Sequence, residues 1–279
     1  MLDLANIRAV LLDMDGVLHR GRMLLPGATE LVATMDELGL RYACLTNNST
    51  QTPAVFAQKL AAQGIQIAAN HIITSSTATA QLLRERLPAG TRLYAIGMDG
   101  LQDSLFADGY FVAATNEVAA VVVGLDLGVN YEKLRVATLA LRAGATFIAT
   151  NGDRTFPAPE GLIPGAGAII AALIAASDQT PTFVGKPEPA MFHAALHLLD
   201  VNAAETLMVG DRLDTDIGGA QGVGIATAFV ETGVNTRVEA EAWPPPPDLI
   251  LPNLAAFLDL LRHSRGSGIG TQQHKGDKG

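Results

Sequence analysis

The chain has 279 residues, 48% of them hydrophobic and 17% charged, which is enough apolar material for one large or two ordinary cores and too much for a disordered polymer. A net charge of −9 with no block of Lys and Arg excludes a nucleic-acid backbone as the main partner, because that binding rests on clustered positive charge. The single cysteine, Cys44, excludes an intramolecular disulfide and fits a reducing cytoplasm.

In chain order, the first ten residues, MLDLANIRAV, carry neither the basic nor the long apolar region of an export signal. The run IRAVLL (7–12) predicts a strand, PGATELVATMDELG (26–39) a helix with apolar residues at three- and four-residue spacing, and RYACL (41–45) a second strand. A second alternating series follows, with strands predicted at RLYAIG (92–97), VAAVVVG (118–124) and ATFIAT (145–150). GAIIAALIAA (167–176) is too short to span a bilayer and predicts a buried helix, so a soluble protein with no membrane partner is expected. TFVG (182–185), TLMVG (206–210) and IATAFV (225–230) predict further strands, with a helix over EPAMFHAALHLLD (188–200) between the first two. The stiff connector PPPP (244–247) leads to a last strand, DLIL, and a last helix, and the Gly/Ser/Lys composition of 264–279 predicts disorder. Strands alternating with helices imply an α/β protein with parallel sheets, which bind ligands at the carboxyl ends of their strands.

Four predicted strand ends carry polar groups: Asp13 and Asp15, then Thr46 and Asn47, then Lys186, then Asp211 with Asp214 and Asp216. If those strands are parallel neighbours, all of these side chains meet at one edge of the sheet. Carboxylates gathered in one pocket repel one another unless a cation neutralises them, and a hard divalent ion, Mg²⁺ first, suits oxygen ligands. With a lysine and strand-end Thr-Asn donors, the set makes a cradle for a phosphate dianion. One carboxylate can attack phosphorus and form an aspartyl-phosphate, while a second, two residues on, moves the proton. His193 and His197 sit at helical metal-ligand spacing without an evident third ligand, and GLIPGAGAII (161–170) lacks the known phosphate-loop patterns, so both are read as structural.

The motifs DMDGVL, LTNNS, VGKPEP and VGDRLDTDI, in that order, resemble the four motifs of the haloacid dehalogenase (HAD) superfamily of phosphohydrolases. The interval of roughly 138 residues between Asn48 and Lys186 and the segment from ATNGDRTFP to GLIPGAGAIIAAL resemble the NagD-like, 4-nitrophenylphosphatase-like branch with a type IIA cap. The resemblance implies a doubly wound, Rossmann-like core over 1–80 and 181–263 and an α/β cap over 81–180. It implies a Mg²⁺-dependent phosphatase of small phosphorylated metabolites, of the sugar phosphate, nucleotide, phosphoglycolate or pyridoxal phosphate class. Asp13 would be nucleophile and metal ligand, and Asp15 general acid/base with its backbone carbonyl on the metal. Thr46, Asn47 and Lys186 would bind phosphate, Asp211 would complete the metal site and Asp216 would support it. Asp214 falls at a variable position. Asn151 and Asp153 match a cap loop and would contact substrate or the other domain, and a homodimer formed through the cap is compatible with the likeness. A catalytically silent binding protein and a phosphotransferase or mutase are the alternatives. The roughly 33 residues from Asp13 to Thr46 are too few for the cap usual in the mutases.

Overall fold

The computed structural model describes residues 2–21, 23–158 and 161–266. Six strands form one sheet in the order Leu249–Leu251, Ala226–Val230, Thr206–Gly210, Ala9–Asp13, Arg41–Thr46, Ile72–Thr74. Val10 lies beside Leu207, Leu207 beside Ala226, Ala228 beside Leu249 and Cys44 beside Ile72, all in parallel register. Every residue of Ala9–Asp13 and Thr206–Gly210 is buried. That is the condition of a parallel strand covered on both faces, and it is why these runs read as continuously apolar.

A second parallel sheet is built from residues inserted in the chain between Thr74 and Pro189, in the order Thr182–Phe183, Thr146–Ala149, Ala120–Val123, Arg92–Ile96, Val112–Ala113. The helices Asp99–Phe106, Tyr131–Arg142 and Ala166–Ser177 follow its strands. Val121, Val123, Leu141, Phe147, Ile170 and Leu173 make one apolar cluster there. The fold is therefore a Rossmann-like core with an inserted α/β cap sheet. Among the described residues, contacts divide the chain into two compact units, one within 1–43, 63–66 and 199–266, the other within 44–62 and 67–198.

Several elements depart from the sequence reading. The helix predicted from Pro26 begins only at Leu31, because Gly27 takes φ +93° and a Cβ there would lie 2.4 Å from the Ala255 backbone nitrogen. It stops at Leu38, where Gly39 adopts the left-handed cap conformation at φ 62°. TFVG shortens to Thr182–Phe183 and pairs with Ile148 and Ala149 in the second sheet. Lys186 thus does not follow a strand of the first sheet, contrary to the premise that the four strand ends are neighbours in one sheet. The last helix runs from Leu254 to Gly266, anchored by Arg262 on Thr34 and Arg265 on the Ile7 carbonyl, so its end enters the segment expected to be disordered. The remainder of that segment, 267–279, lies outside the described residues. Among the described residues no helix is long and apolar enough to cross a membrane.

Ile170, 2% exposed in the second sheet's cluster, gives a simple packing test. Ile170→Val will lower stability by about 0.5–1.5 kcal/mol, as removal of one buried methyl does, read as a shift in the urea midpoint at unchanged catalytic rate.

Candidate active site

Two groups of the predicted residues are assembled, each by its own loops. The first is acidic. Asp13 ends the buried strand AVLLD, and the chain then turns back at once, with the Leu18 and His19 amides donating to the Met14 carbonyl and the Gly16 amide to the His19 carbonyl at 2.7 Å. Asp211 is the first residue after the strand TLMVG, and Asp216 lies on a π-helical turn, Leu213–Ile217. Asp13, Asp211 and Asp216 are all buried, and each brings a carboxylate oxygen within 4.8 Å of the other two. Three buried carboxylates at that spacing repel one another, and the oxygen-only donor set fits a hard divalent cation that neutralises them.

Glycines make this approach feasible. A Cβ on Gly16 would lie 2.5 Å from the Asp211 Cγ, and one on Gly210 would lie 2.3 Å from the Asp216 Cβ. One Asp211 oxygen, Oδ2, accepts the Val234 amide at 2.8 Å, and Asp216 Oδ2 accepts the Arg212 amide at 3.1 Å. Asp214 points elsewhere and takes both arms of the Arg212 guanidinium at 3.2 and 2.9 Å. Burial pushes its carboxyl up, but the Arg212 hydrogen bonds and charge and the Thr215 amide outweigh it and hold the group below the usual carboxylate range.

Asp15 is outside the buried trio. Its side chain is 72% exposed and lies 3.4 Å from Nδ1 of His19, which the sequence reading did not single out. The signal for His19 was its place four residues after Asp15 across a turn that closes with an Asp15–His19 bridge.

The second group gathers Thr46, Asn47 and Lys186. Thr46 ends a strand buried over its last five residues, and its Oγ1 accepts the Asn48 amide at 3.2 Å. The Asn47 carbonyl accepts the Ser75 hydroxyl at 2.6 Å and the Asn151 side-chain Nδ2 at 2.8 Å, while its own side-chain amide donates to the Lys186 carbonyl at 2.9 Å. Lys186 is 4% exposed, and its ammonium donates to the Leu45 carbonyl at 3.4 Å. It reaches this position from the second sheet because the Val184 and Gly185 amides continue the pairing onto Ala149 and Thr150. A Cβ on Gly185 would lie 2.6 Å from both Asn47 Oδ1 and the Thr150 carbonyl, so only glycine allows this closeness. Asn151 is buried, its Oδ1 accepting the Asp153 amide, and Asp153 is half-buried. His193 and His197 are exposed on the helix Pro189–Leu199 and belong to no metal-ligand trio among the described residues.

Two family models match the chain, haloacid dehalogenase-like hydrolase over residues 10–111 and HAD-hydrolase-like over 183–257. An acid sugar phosphatase of Staphylococcus saprophyticus subsp. saprophyticus is 39% identical over 256 residues, covering 92% of this chain and 98% of the relative. The chain belongs to the haloacid dehalogenase-like hydrolases. Among solved structures, a p-nitrophenyl phosphatase from Archaeoglobus fulgidus is 31% identical with TM-score 0.83, over 91% of this chain and 99% of that one. A glycerol phosphate phosphatase from Mycobacterium tuberculosis in complex with magnesium is 33% identical with TM-score 0.84, over 94% of this chain and 80% of that one. The hydrolase falls in the NagD-like, p-nitrophenylphosphatase-like branch of phosphatases that carry a cap.

Proposed function

We propose that this hydrolase is a Mg²⁺-dependent phosphatase of small phosphorylated metabolites that works through an aspartyl-phosphate. The observation that carries the reading is the buried trio of Asp13, Asp211 and Asp216, a charge arrangement that a divalent cation makes tolerable. Mg²⁺ would be held by Asp13, Asp211 and Asp216 with the Asp15 backbone carbonyl, and when bound it offsets negative charge and polarises a phosphoryl oxygen. Lys186, the Thr46 hydroxyl and the Asn47 backbone bind the phosphoryl oxygens. An Asp13 oxygen attacks phosphorus as the bond to the leaving alkoxide breaks, and protonated Asp15 gives that alkoxide its proton. Asp15, now a carboxylate, takes a proton from water. The resulting hydroxide displaces phosphate from the aspartyl group and regenerates Asp13. The exposure of the Asp15 side chain suits a group that exchanges protons with solvent, and the burial of Asp13 suits a desolvated nucleophile.

Residues 81–180 act as the cap and 1–80 with 181–263 as the catalytic core. The relatives' names favour sugar phosphates and glycerol phosphate among the substrate classes, ahead of nucleotides, phosphoglycolate and pyridoxal phosphate. A cytoplasmic location fits the one buried cysteine, Cys44, and a homodimer formed through the cap belongs to the same reading, with light scattering as its check.

The test is hydrolysis of 4-nitrophenyl phosphate and a panel of sugar phosphates and glycerol phosphate, ranked by kcat/KM. Turnover is expected in Mg²⁺ and will fall by at least roughly 10²-fold on chelation, the scale of several kcal/mol of transition-state charge stabilisation, with recovery when Mg²⁺ is restored. Turnover that persists unchanged in excess chelator overturns the metal-dependent reading.

A further inference from the structure

We infer that the loop Thr232–Asn235 is the positioning element of the acidic centre, with the Thr232 hydroxyl as the tie between its two halves. The inference rests on the reading of Asp13, Asp211 and Asp216 as a metal centre. The loop leaves the end of the strand Ala226–Val230 and touches both acid-bearing loops. Toward the first, the Thr232 hydroxyl donates to the Gly16 carbonyl at 2.5 Å, fixing the turn that follows Asp13 and Asp15. Toward the second, the Val234 amide donates to Asp211 Oδ2 at 2.8 Å and the Asn235 amide to the Asp211 carbonyl at 3.4 Å. The Asn235 side-chain oxygen also accepts the Leu213 amide at 3.0 Å, at the start of the turn that carries Asp216.

Residue types along the loop are constrained by this contact. A Cβ on Gly233 would lie 1.6 Å from Asp211 Oδ2, so the loop backbone lies directly against the carboxylate. From outside, Arg20 donates through Nη2 to the Thr232 and Gly233 carbonyls, the latter at 3.1 Å, pinning the loop to the hairpin that follows the first motif. The loop therefore sets the spacing between the segment that bears Asp13 and the segment that bears Asp211. Like charges must be held at ligand spacing against their repulsion, and partners behind the ligands do that in metal sites generally.

Neither Thr232 nor Asn235 is a catalytic residue; they act through the carboxylates. Thr232→Val keeps the side-chain shape and removes the donor. It is expected to weaken Mg²⁺ binding, measured by calorimetry without substrate, by about 10- to 100-fold, the usual cost of losing such a partner. Thr232→Ser will recover most of the affinity, and KM for 4-nitrophenyl phosphate at saturating Mg²⁺ will stay near the wild-type value. Arg20→Met, at an exposed side chain, will shift Mg²⁺ affinity in the same direction and provides a second probe if Thr232→Val folds poorly. Asp211→Asn separates the two levels of inference. If Asp211→Asn binds Mg²⁺ like the wild type, the metal-centre reading fails and the inference falls with it. If Asp211→Asn loses Mg²⁺ while Thr232→Val and Arg20→Met bind it like the wild type, the inference alone is overturned.

Discussion

Asp13→Asn will lower kcat by on the order of 10⁴-fold or more, the scale on which loss of a covalent nucleophile is felt, and will leave no phosphoryl group on the protein. The substitution is isosteric, and Asp13 closes a strand whose other residues are fully buried apolar ones, so the fold persists and the loss is chemical. Asp15→Asn separates the two acids. With 4-nitrophenyl phosphate the leaving group departs without needing a proton, so Asp13 still becomes phosphorylated in the first step. The second step lacks the group that takes the proton from water, so the phosphoenzyme accumulates. A burst of nitrophenolate and a mass increase of one phosphoryl group on the intact protein are the expected signature, absent from Asp13→Asn. A phosphorylated Asp13→Asn variant, or an Asp15→Asn variant with wild-type steady-state turnover, would contradict this division of labour.

The proposed division comes from the likeness of DMDGVL to the family's first motif, while the setting of the two acids is legible in the chain itself: Asp13 and Asp15 are two residues apart, at the end of an apolar run that had to be buried. The strands that position the acids were legible for the same reason. Residues 9–12 and 207–209 are buried and apolar, as in parallel strands covered on both faces, and residues 120–123 and 147–149 show the same character in the second sheet. Thr182–Phe183 escaped assignment to its sheet because two paired residues leave almost no pattern, and nothing in TFVG says which neighbour it joins. Ile72–Thr74 is a three-residue strand that runs straight into a helix capped by Thr74, so its apolar pair had no strand-length context.

The finer structure of the acidic centre depends on contacts between segments far apart in sequence. Asp214 and Asp216 look equivalent in VGDRLDTDI, but a π-helical turn and the bare α-carbon of Gly210 bring Asp216 to Asp13 and Asp211, while Arg212 takes Asp214. Asp216, read from the motif as a supporting acid, stands in the trio itself. The loop Thr232–Asn235 carried the same signal as the other strand ends, polar residues directly after an apolar run. Its partners, Gly16 and Asp211, are identifiable only once the strands are ordered.

Gly16→Ala is expected to reduce kcat/KM by about 10³-fold, because an ångström-scale displacement of the proposed metal-ligand carboxylate of Asp211 and the weakened cation binding that follows act together. Two effects meet at this residue. Its φ of +86° lies in the left-handed region, where alanine costs about 1–2 kcal/mol relative to the right-handed one. Its added Cβ would also lie 2.5, 2.6 and 2.8 Å from Cγ, Oδ2 and Oδ1 of Asp211, so the carboxylate has to move. Gly21 isolates the first effect: its φ is +59° and a Cβ there meets nothing within 4 Å. Gly21→Ala should lower stability by about 1 kcal/mol and leave catalysis unchanged. Gly233 isolates the second, since its backbone is outside the left-handed region and its Cβ would overlap the same Asp211 oxygen. Gly233→Ala should weaken Mg²⁺ binding and turnover in the manner of Gly16→Ala. Urea unfolding, Mg²⁺ calorimetry and kcat/KM on the three variants separate backbone strain from carboxylate displacement. If Gly16→Ala lost only the stability that Gly21→Ala loses and kept its turnover, the position of Asp211 would not govern the reaction, and the acidic trio would have to be read as structural.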